Sequence, residues 1–228
     1  VYKRQTDLQQ YLPEEYYNIT HLFGKTNFST NLTGFSTNFV TDGIFKTAIG
    51  TLDADLKFDI QKDEALSKYG GKVKTINFDL GKFLSYKKLG KLDMDGNIEG
   101  TGFKIENANV KLTANIKRLG YNNYDYKNIS TDSASFNKKS FFKKIKINDP
   151  NLKASLDGSF SLDGNQSLFN ISTSVTTANL LPLNLTKEDI GFKIGFSHLS
   201  FEGLELDSIR GIGFANNSTI FYKGDSLS

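Results

Sequence analysis

Apolar and polar residues alternate along most of this chain. Leu52, Ala54, Leu56, Phe58 and Ile60 alternate with Thr51, Asp53, Asp55, Lys57 and Asp59. Successive side chains of a β-strand point to opposite faces, so this places five apolar groups on one side and the charges on the other. Leu152, Ala154, Leu156, Gly158, Phe160 and Leu162 alternate in the same way with Lys153, Ser155, Asp157, Ser159 and Ser161. Phe169, Ile171 and Val175 continue the pattern, followed by Ile190, Phe192, Ile194 and Phe196, with His198 in the same register. Shorter cases are Phe28 with Leu32, Ile76 with Phe78 and Leu80, Leu92 with Met94 and Ile98, and Val110 with Leu112, Ala114 and Ile116. A period of two predicts about ten to twelve half-buried strands. Asp42-Gly43, Gly70-Gly71, Asn122-Asn123 and Asp163-Gly164-Asn165 are the expected turns between them, because these residues tolerate positive φ or make local side-chain turns. Consecutive strands should then be antiparallel neighbours. Helix is expected only in short segments, Asp7 to Tyr17, Gly81 to Lys88 and Leu180 to Asp189, none of which sustains a 3.6-residue apolar stripe.

The pattern also repeats. Asp7-Leu8, Tyr11-Leu12 and Gly24-Lys25, leading into a strand that ends at Gly34, correspond to Asp79-Leu80, Phe83-Leu84, Gly90-Lys91 and a strand that ends at Gly100. A looser third copy begins at Asn179-Leu180 and leads to Phe201-Glu202-Gly203, and Leu52-Asp53-Ala54-Asp55-Leu56 matches Leu152-Lys153-Ala154-Ser155-Leu156. Such quasi-periodicity predicts units of roughly 70 to 100 residues that extend one sheet along an axis. The organisation expected is a joint with a short helix at 1–24, a first β repeat at 25–78, a second at 79–178 with its joint at 79–90, and the start of a third at 179–228. A chain that begins at Val1 and stops within the pattern reads as a piece of a much longer protein. A sheet apolar on one side must close, pack on a second sheet, or curl round something apolar.

Composition narrows the chemistry. The 28 Lys and Arg against 25 Asp and Glu leave a formal charge of +3, too balanced for a polyanion-binding protein, so nucleic acid is not an expected partner. Without cysteine there is no disulfide framework, thiolate site or cysteine nucleophile. The 19 Phe and 10 Tyr, with no Trp and 3 Pro, favour strands, and no run of 18 apolar residues is present. Any imidazole chemistry would depend on His21 or His198, and neither has a supporting motif. Asp93-Met94-Asp95-Gly96-Asn97 resembles the start of a calcium loop, but Ile98 and Lys104 stand where that loop needs Gly and Glu. Gly100-Thr101-Gly102 and Gly211-Ile212-Gly213 lack the third glycine of a dinucleotide fingerprint and read as bulge or turn positions. Asp53, Asp55 and Asp59 read as a solvated face, and the lysine pairs at 87–88, 138–139 and 143–144 as guards of strand ends. The expectation is a protein that is not an enzyme, with no catalytic residues, no metal and no cofactor.

The joint Asn77-Phe78-Asp79-Leu80-Gly81-Lys82-Phe83-Leu84, which runs into Leu92-Asp93-Met94-Asp95-Gly96-Asn97-Ile98-Glu99-Gly100-Thr101-Gly102, resembles the TamB/AsmA-like proteins of Bacteroidetes-type bacteria. So do Ile147-Asn148-Asp149-Pro150-Asn151-Leu152 and Phe201-Glu202-Gly203-Leu204-Glu205-Leu206-Asp207-Ser208-Ile209-Arg210-Gly211, and the resemblance extends over nearly the whole chain. It implies an all-β fold, an elongated, curved antiparallel β-sheet groove (β-taco-like) built from repeats with short helical joints. It also implies a periplasmic, inner-membrane-anchored parent protein that moves phospholipid or another membrane lipid towards the outer membrane and works with a TamA-type β-barrel. Two acyl chains carry on the order of 30 methylenes, whose exposure to water costs roughly 24 kcal/mol at about 0.8 kcal/mol each. A continuous apolar strip would remove that cost without residue-specific chemistry. The residues expected to line it are Leu56, Phe58, Ile76, Phe78, Leu112, Ile116, Leu156, Phe160, Phe169, Ile171, Phe192 and Ile194. The competing expectation is a structural or adhesive β-repeat module with a closed core and no lipid, and behind it a carbohydrate-active β-domain.

Overall fold

A computed structural model describes residues 22–104, 107–137, 140–163, 166–203 and 210–227, with the backbone alone at 140–143, 160, 162, 163, 166 and 227. Asp7 to Tyr17, His21, Lys138-Lys139, Gly164-Asn165 and residues 204–209 lie outside the described residues. Among the described residues the period of two becomes thirteen strands: β1 (Asn27–Phe35), β2 (Asn38–Thr47), β3 (Gly50–Asp59), β4 (Lys68–Asp79), β5 (Leu89–Thr101), β6 (Asn109–Tyr121), β7 (Tyr124–Asn137), β8 (Ser140–Asn148), β9 (Leu152–Asp163), β10 (Gln166–Asn179), β11 (Ile190–Glu202), β12 (Arg210–Tyr222) and β13 (Asp225–Leu227). They form one sheet whose spatial order is the chain order, with every pairing antiparallel.

β1 and β13 do not pair, so the sheet is not closed into a barrel. The extensive contacts between strands are all between sequence neighbours. The chain exposes 15276 Å², about half again the roughly 10,300 Å² of a compact globular protein of 25.4 kDa.

Two of the expected turns lie inside strands. Gly43 is within β2, where a Cβ would come 2.6 Å from the Thr30 side chain, and Gly71 is within β4 at φ +144°, where a Cβ would meet the Asp55 carbonyl at 2.0 Å. These glycines permit close strand approach rather than chain reversal. Asn122-Asn123 does form the β6–β7 turn, with φ of +50° and +61°, the primed geometry that matches strand twist. Of the joints, Gly81 to Lys88 holds only the end of the four-residue helix α1 (Leu80–Phe83), capped by Asp79, whose carboxylate accepts from the Lys82 amide at 2.9 Å. Leu180 to Asp189 is turns instead of helix, with Pro182 and positive-φ Asn184 breaking any helical run.

Four strands precede the first of these joints and six separate it from the second. Both counts are even, so both joints emerge at the same end of the sheet. There Phe83 packs edge-on to Phe78 with ring centroids 5.4 Å apart, and Phe23 lies 6.3 Å from Phe83. From the second joint Leu183, fully buried, inserts against Tyr126 and Ile129. Ile116, Leu119, Tyr121, Tyr124, Ile145, Ile147 and Leu152 pack round this cluster. Asn122 and Asn184 each donate a side-chain N–H to the other's carbonyl, which ties the joint to the hairpin.

Asp149, in the Asn148-Asp149-Pro150-Asn151 turn beside this cluster, is fully buried. Its carboxylate accepts from the Tyr124 hydroxyl at 2.6 Å, the Lys127 amide at 2.9 Å and the Asn151 amide at 2.8 Å. One side chain thereby satisfies donors from β7 and from the β8–β9 turn. Asp149→Ala would strand all three and should lower unfolding stability by about 3 kcal/mol, measured by urea denaturation.

Burial pushes the Tyr69, Tyr124 and Tyr126 hydroxyls above their ordinary pKa of 10.0, and for Tyr124 the Asp149 hydrogen bond acts in the same direction. The folded state therefore holds these protons to higher pH than the unfolded state. Their contribution is complete below about pH 10 and is lost as pH rises through the folded values. The urea midpoint should accordingly fall above about pH 10, and the triple Tyr→Phe variant should show a shallower fall.

Candidate functional site

Register decides which side chains share a face, because directly paired residues of neighbouring strands project to the same side. Phe39 pairs with Phe58, Phe58 with Tyr69, Tyr69 with Gly100, Gly100 with Val110 and Val110 with Phe136. By backbone register the line continues through Phe141, Phe160, Phe169 and Phe201 to Gly211, and at its other end it starts at Gly34. A mostly aromatic row thus crosses β1 to β12. The Phe39 and Phe58 rings are stacked at 5.0 Å, and those of Phe169 and Phe201 at 4.6 Å. At Gly100 a Cβ would lie 2.4 Å from the Tyr69 ring, and Phe103 stacks on Tyr69 at 5.5 Å, so the gap in the row is filled from its neighbours.

A second row, four residues along most strands, consists of Thr30, Gly43, Ala54, Val73, Gly96, Ala114, Thr131, Ile145, Leu156, Thr173, Ser197 and Ala215. Ala54, Ala114 and Ser197 are only 2–3% exposed although no second sheet among the described residues covers them. Bulkier residues on either side screen these short side chains, giving a lane of small and medium residues beside the aromatic row.

Ten of the twelve residues expected on the apolar face have side chains on this one face. Leu56, Phe58, Phe78, Leu112, Ile116, Leu156, Phe169, Ile171, Phe192 and Ile194 all share it by register. Phe78 is buried beneath Phe83, whereas the other nine are half-buried. Phe160 falls in the same line by backbone register, and its side chain lies outside the described residues.

Ile76 is on the opposite face. It pairs with Thr51 and is 44% exposed. The cause is a β-bulge: the pairing of β4 with β5 shifts between Thr75 and Phe78, with Asn77 at φ +52°, so two residues are accommodated where alternation allows one. Arg118 braces the bulge on the charged face. Its Nε donates to Asp93 at 2.8 Å and its Nη2 to the Asn77 side chain, and Asp93 also accepts from the Asn77 amide. Asp93, in the run set aside above as a calcium loop, is thus engaged by a guanidinium.

A second bulge, between Ile194 and Ser197, moves Phe196 and His198 to the charged face and brings Ser197, Leu199 and Phe201 onto the apolar one. His198 Nδ1 shares a hydrogen bond with the Ser172 hydroxyl at 2.9 Å, and its ring lies 5.9 Å from Phe214. Asp157 is the register partner of Ser172 on its other side. The line is therefore acid, hydroxyl, imidazole, whereas a nucleophilic triad needs the imidazole in the middle. Among the described residues no group of three or more His, Asp or Glu gathers as a metal site would, and no helix is long and apolar enough to cross a membrane.

Alternation alone does not find Phe39, Phe136 or Phe201. Phe39 is followed by Val40, so both parities are apolar, and Phe136 and Phe201 each lie beyond a shift in register. The detectable signal is the recurrence of Phe near the same end of most strands. No family model, curated protein or solved structure matches the chain.

The bulge gives a direct test. Asn77→Gly and Asn77→Val both lose the Arg118 contact, but only valine is strained at φ +52°. Asn77→Val should be about 1–2 kcal/mol less stable than Asn77→Gly by urea denaturation.

Proposed function

We propose that this chain is a segment of a periplasmic bridge that carries lipid acyl chains along the apolar face of its sheet. The observation that carries this reading is the pair of rows running across twelve strands of one unclosed sheet, with no second sheet against them among the described residues. The rows run perpendicular to the strands, and at about 4.8 Å per strand they extend on the order of 50 Å. That is longer than an acyl chain, so a tail lying in the lane could advance by small steps without re-entering water.

The lane between the aromatic row and the rows towards the joints would hold the methylenes, and the headgroup would stay in solvent beyond the margin. Each acyl tail of about 15 methylenes moved out of water is worth roughly 12 kcal/mol. That energy sets no preference for direction, which would come from membranes or machinery at the ends. The TamB/AsmA-like resemblance extends this reading to a parent protein anchored in the inner membrane. In that setting the bridge would serve outer-membrane biogenesis, and the translocation and assembly work of this family, together with a TamA-type β-barrel. The bridge needs no cofactor and performs no covalent chemistry.

The experiment is capture of a photo-crosslinkable phospholipid by purified protein. Leu56→Asp and Ile171→Asp place charge on the apolar face and should reduce capture several-fold while circular dichroism remains that of the folded sheet. Ile76→Asp, on the opposite face, should capture as wild type does. Undiminished capture by both apolar-face variants, or an equal loss with Ile76→Asp, would overturn the proposal.

A further inference from the structure

The charged face changes character across the sheet. Over β3 to β6 its cross-strand rows alternate in sign: Asp53 pairs with Lys74 and Lys74 with Asp95, Asp55 pairs with Lys72, and Glu99 with Lys111. Over β9 to β11 the corresponding rows carry a single formal charge, that of Asp157. Ser155 pairs with Ser174, Asp157 with Ser172 and Ser172 with His198, while Ser159 pairs with Asn170 and Asn170 with Ser200. Hydroxyl and amide groups, able both to donate and to accept hydrogen bonds, stand where ions stand elsewhere.

An aromatic ring stands among them. The extra residue in β11 sends Phe196 to this face, where it is 43% exposed, and brings Ser197 to the apolar face, where it is 3% exposed. Burial alone favours the opposite arrangement, with the ring on the apolar side and the hydroxyl in water. Bulges re-aim side chains, and the one re-aimed here borders a furrow of about 340 Å³ whose lining includes Ser155, Asp157, Ser172 and Ser174. That volume is in the range of small-ligand sites. Two acids of the furrow, Asp132 and Asp157, are matched by two lysines, Lys144 and Lys146, so its net charge selects neither an anion nor a cation. The hydroxyls are already positioned: Ser155 and Ser174 share a hydrogen bond at 2.8 Å, and Ser172 shares one with His198 Nδ1 at 2.9 Å. The Phe196 and His198 rings in turn lie against Phe214, with centroids 5.8 and 5.9 Å away. A second furrow, of about 440 Å³, lies two residues along the same strands at Ser159, Asn170 and Ser200.

We propose that this part of the charged face binds a saccharide, with one sugar ring on Phe196 and the chain continuing into the second furrow. A sugar ring presents C–H groups on its faces and hydroxyls round its rim. The C–H groups pack on the Phe196 ring, whose face carries partial negative charge. The hydroxyls exchange hydrogen bonds with Ser155, Ser172 and Ser174 and donate to the Asp157 carboxylate. A wholly apolar ligand would strip water from those groups and leave them without partners. A phosphate or carboxylate ligand would meet the like charge of Asp132 and Asp157. The site is on the face opposite the lipid lane and does not depend on the lipid reading.

The test is NMR titration of the isotope-labelled chain with maltotriose, cellotriose and triacetylchitotriose at millimolar concentrations, with inorganic phosphate as the ionic counterpart. At least one trisaccharide should shift the amides of β9 to β11 around Phe196 and reach saturation. Phe196→Ser should weaken that binding about ten-fold, as loss of an aromatic anchor does. Asp157→Ala should weaken it several-fold, and circular dichroism of both variants should remain that of the folded sheet. Ile44→Ser removes another side chain that is 43% exposed on the same face, beside Asp53, and should bind as wild type does. No saturable shift with any of the three sugars, or shifts with phosphate alone, would overturn the proposal. So would undiminished affinity of Phe196→Ser and Asp157→Ala, or an equal loss with Ile44→Ser.

Discussion

The structure depends on pairing between neighbouring strands, with little else to support it. In most proteins a sheet gains much of its stability from a layer packed against it. Here the strands contact mainly their sequence neighbours, and the buried cluster is confined to the end of the sheet where the second joint folds over β6 to β9. Cross-strand pairs on the apolar side, each contributing a few tenths to about 1 kcal/mol, are therefore the main repeated stabilising unit. This explains why the aromatic residues align across the sheet: stacked pairs such as Phe39 with Phe58 and Phe169 with Phe201 join one strand to the next where no second layer among the described residues does so.

The same constraint gives the joints a role beyond connecting strands. The ladder ends at the turns, where backbone donors and acceptors need other partners. Asp149 meets that need by gathering three donors. The Asn122 and Asn184 pair fixes the second joint over the hairpin, and Leu183 fills the space between them and the sheet. Asp149 and its neighbours thus have a structural reason for their identities, although they belong to none of the alternating runs.

The fold was legible where alternation is strict. In β3 and β9 the period of two is unbroken, and both the strands and the face carried by Leu56, Phe58 and Leu156 follow from it directly. It failed at bulges. Ile76 and Phe78 look equivalent in a period-two reading, as do Ile194 and Phe196, yet in each case an extra residue sends one of the two to the charged face. Asn77 carries a partial signal, since asparagine tolerates φ > 0, but the same property makes Asn122-Asn123 a turn, and only the strand pairing distinguishes the two uses. Gly43 and Gly71 were misleading for a related reason. Glycine marks both chain reversal and close backbone approach, and a single sequence does not say which is required.

The bulges also reconcile two demands that a regular strand cannot meet together. β4 must present Leu52's partner Thr75 and, further along, Phe78 to the apolar face, while Asn77 on the other side bonds to Arg118 and Asp93. A strict strand of the same sequence would turn Phe78 out into solvent and lose its edge-on contact with Phe83. By inserting one residue at that height, the chain keeps the apolar face continuous up to the joint and gives the charged face an ion-paired brace. The extra residue thus keeps the apolar face continuous where strict alternation would break it, and asparagine adopts the left-handed backbone that this needs more readily than most other side chains.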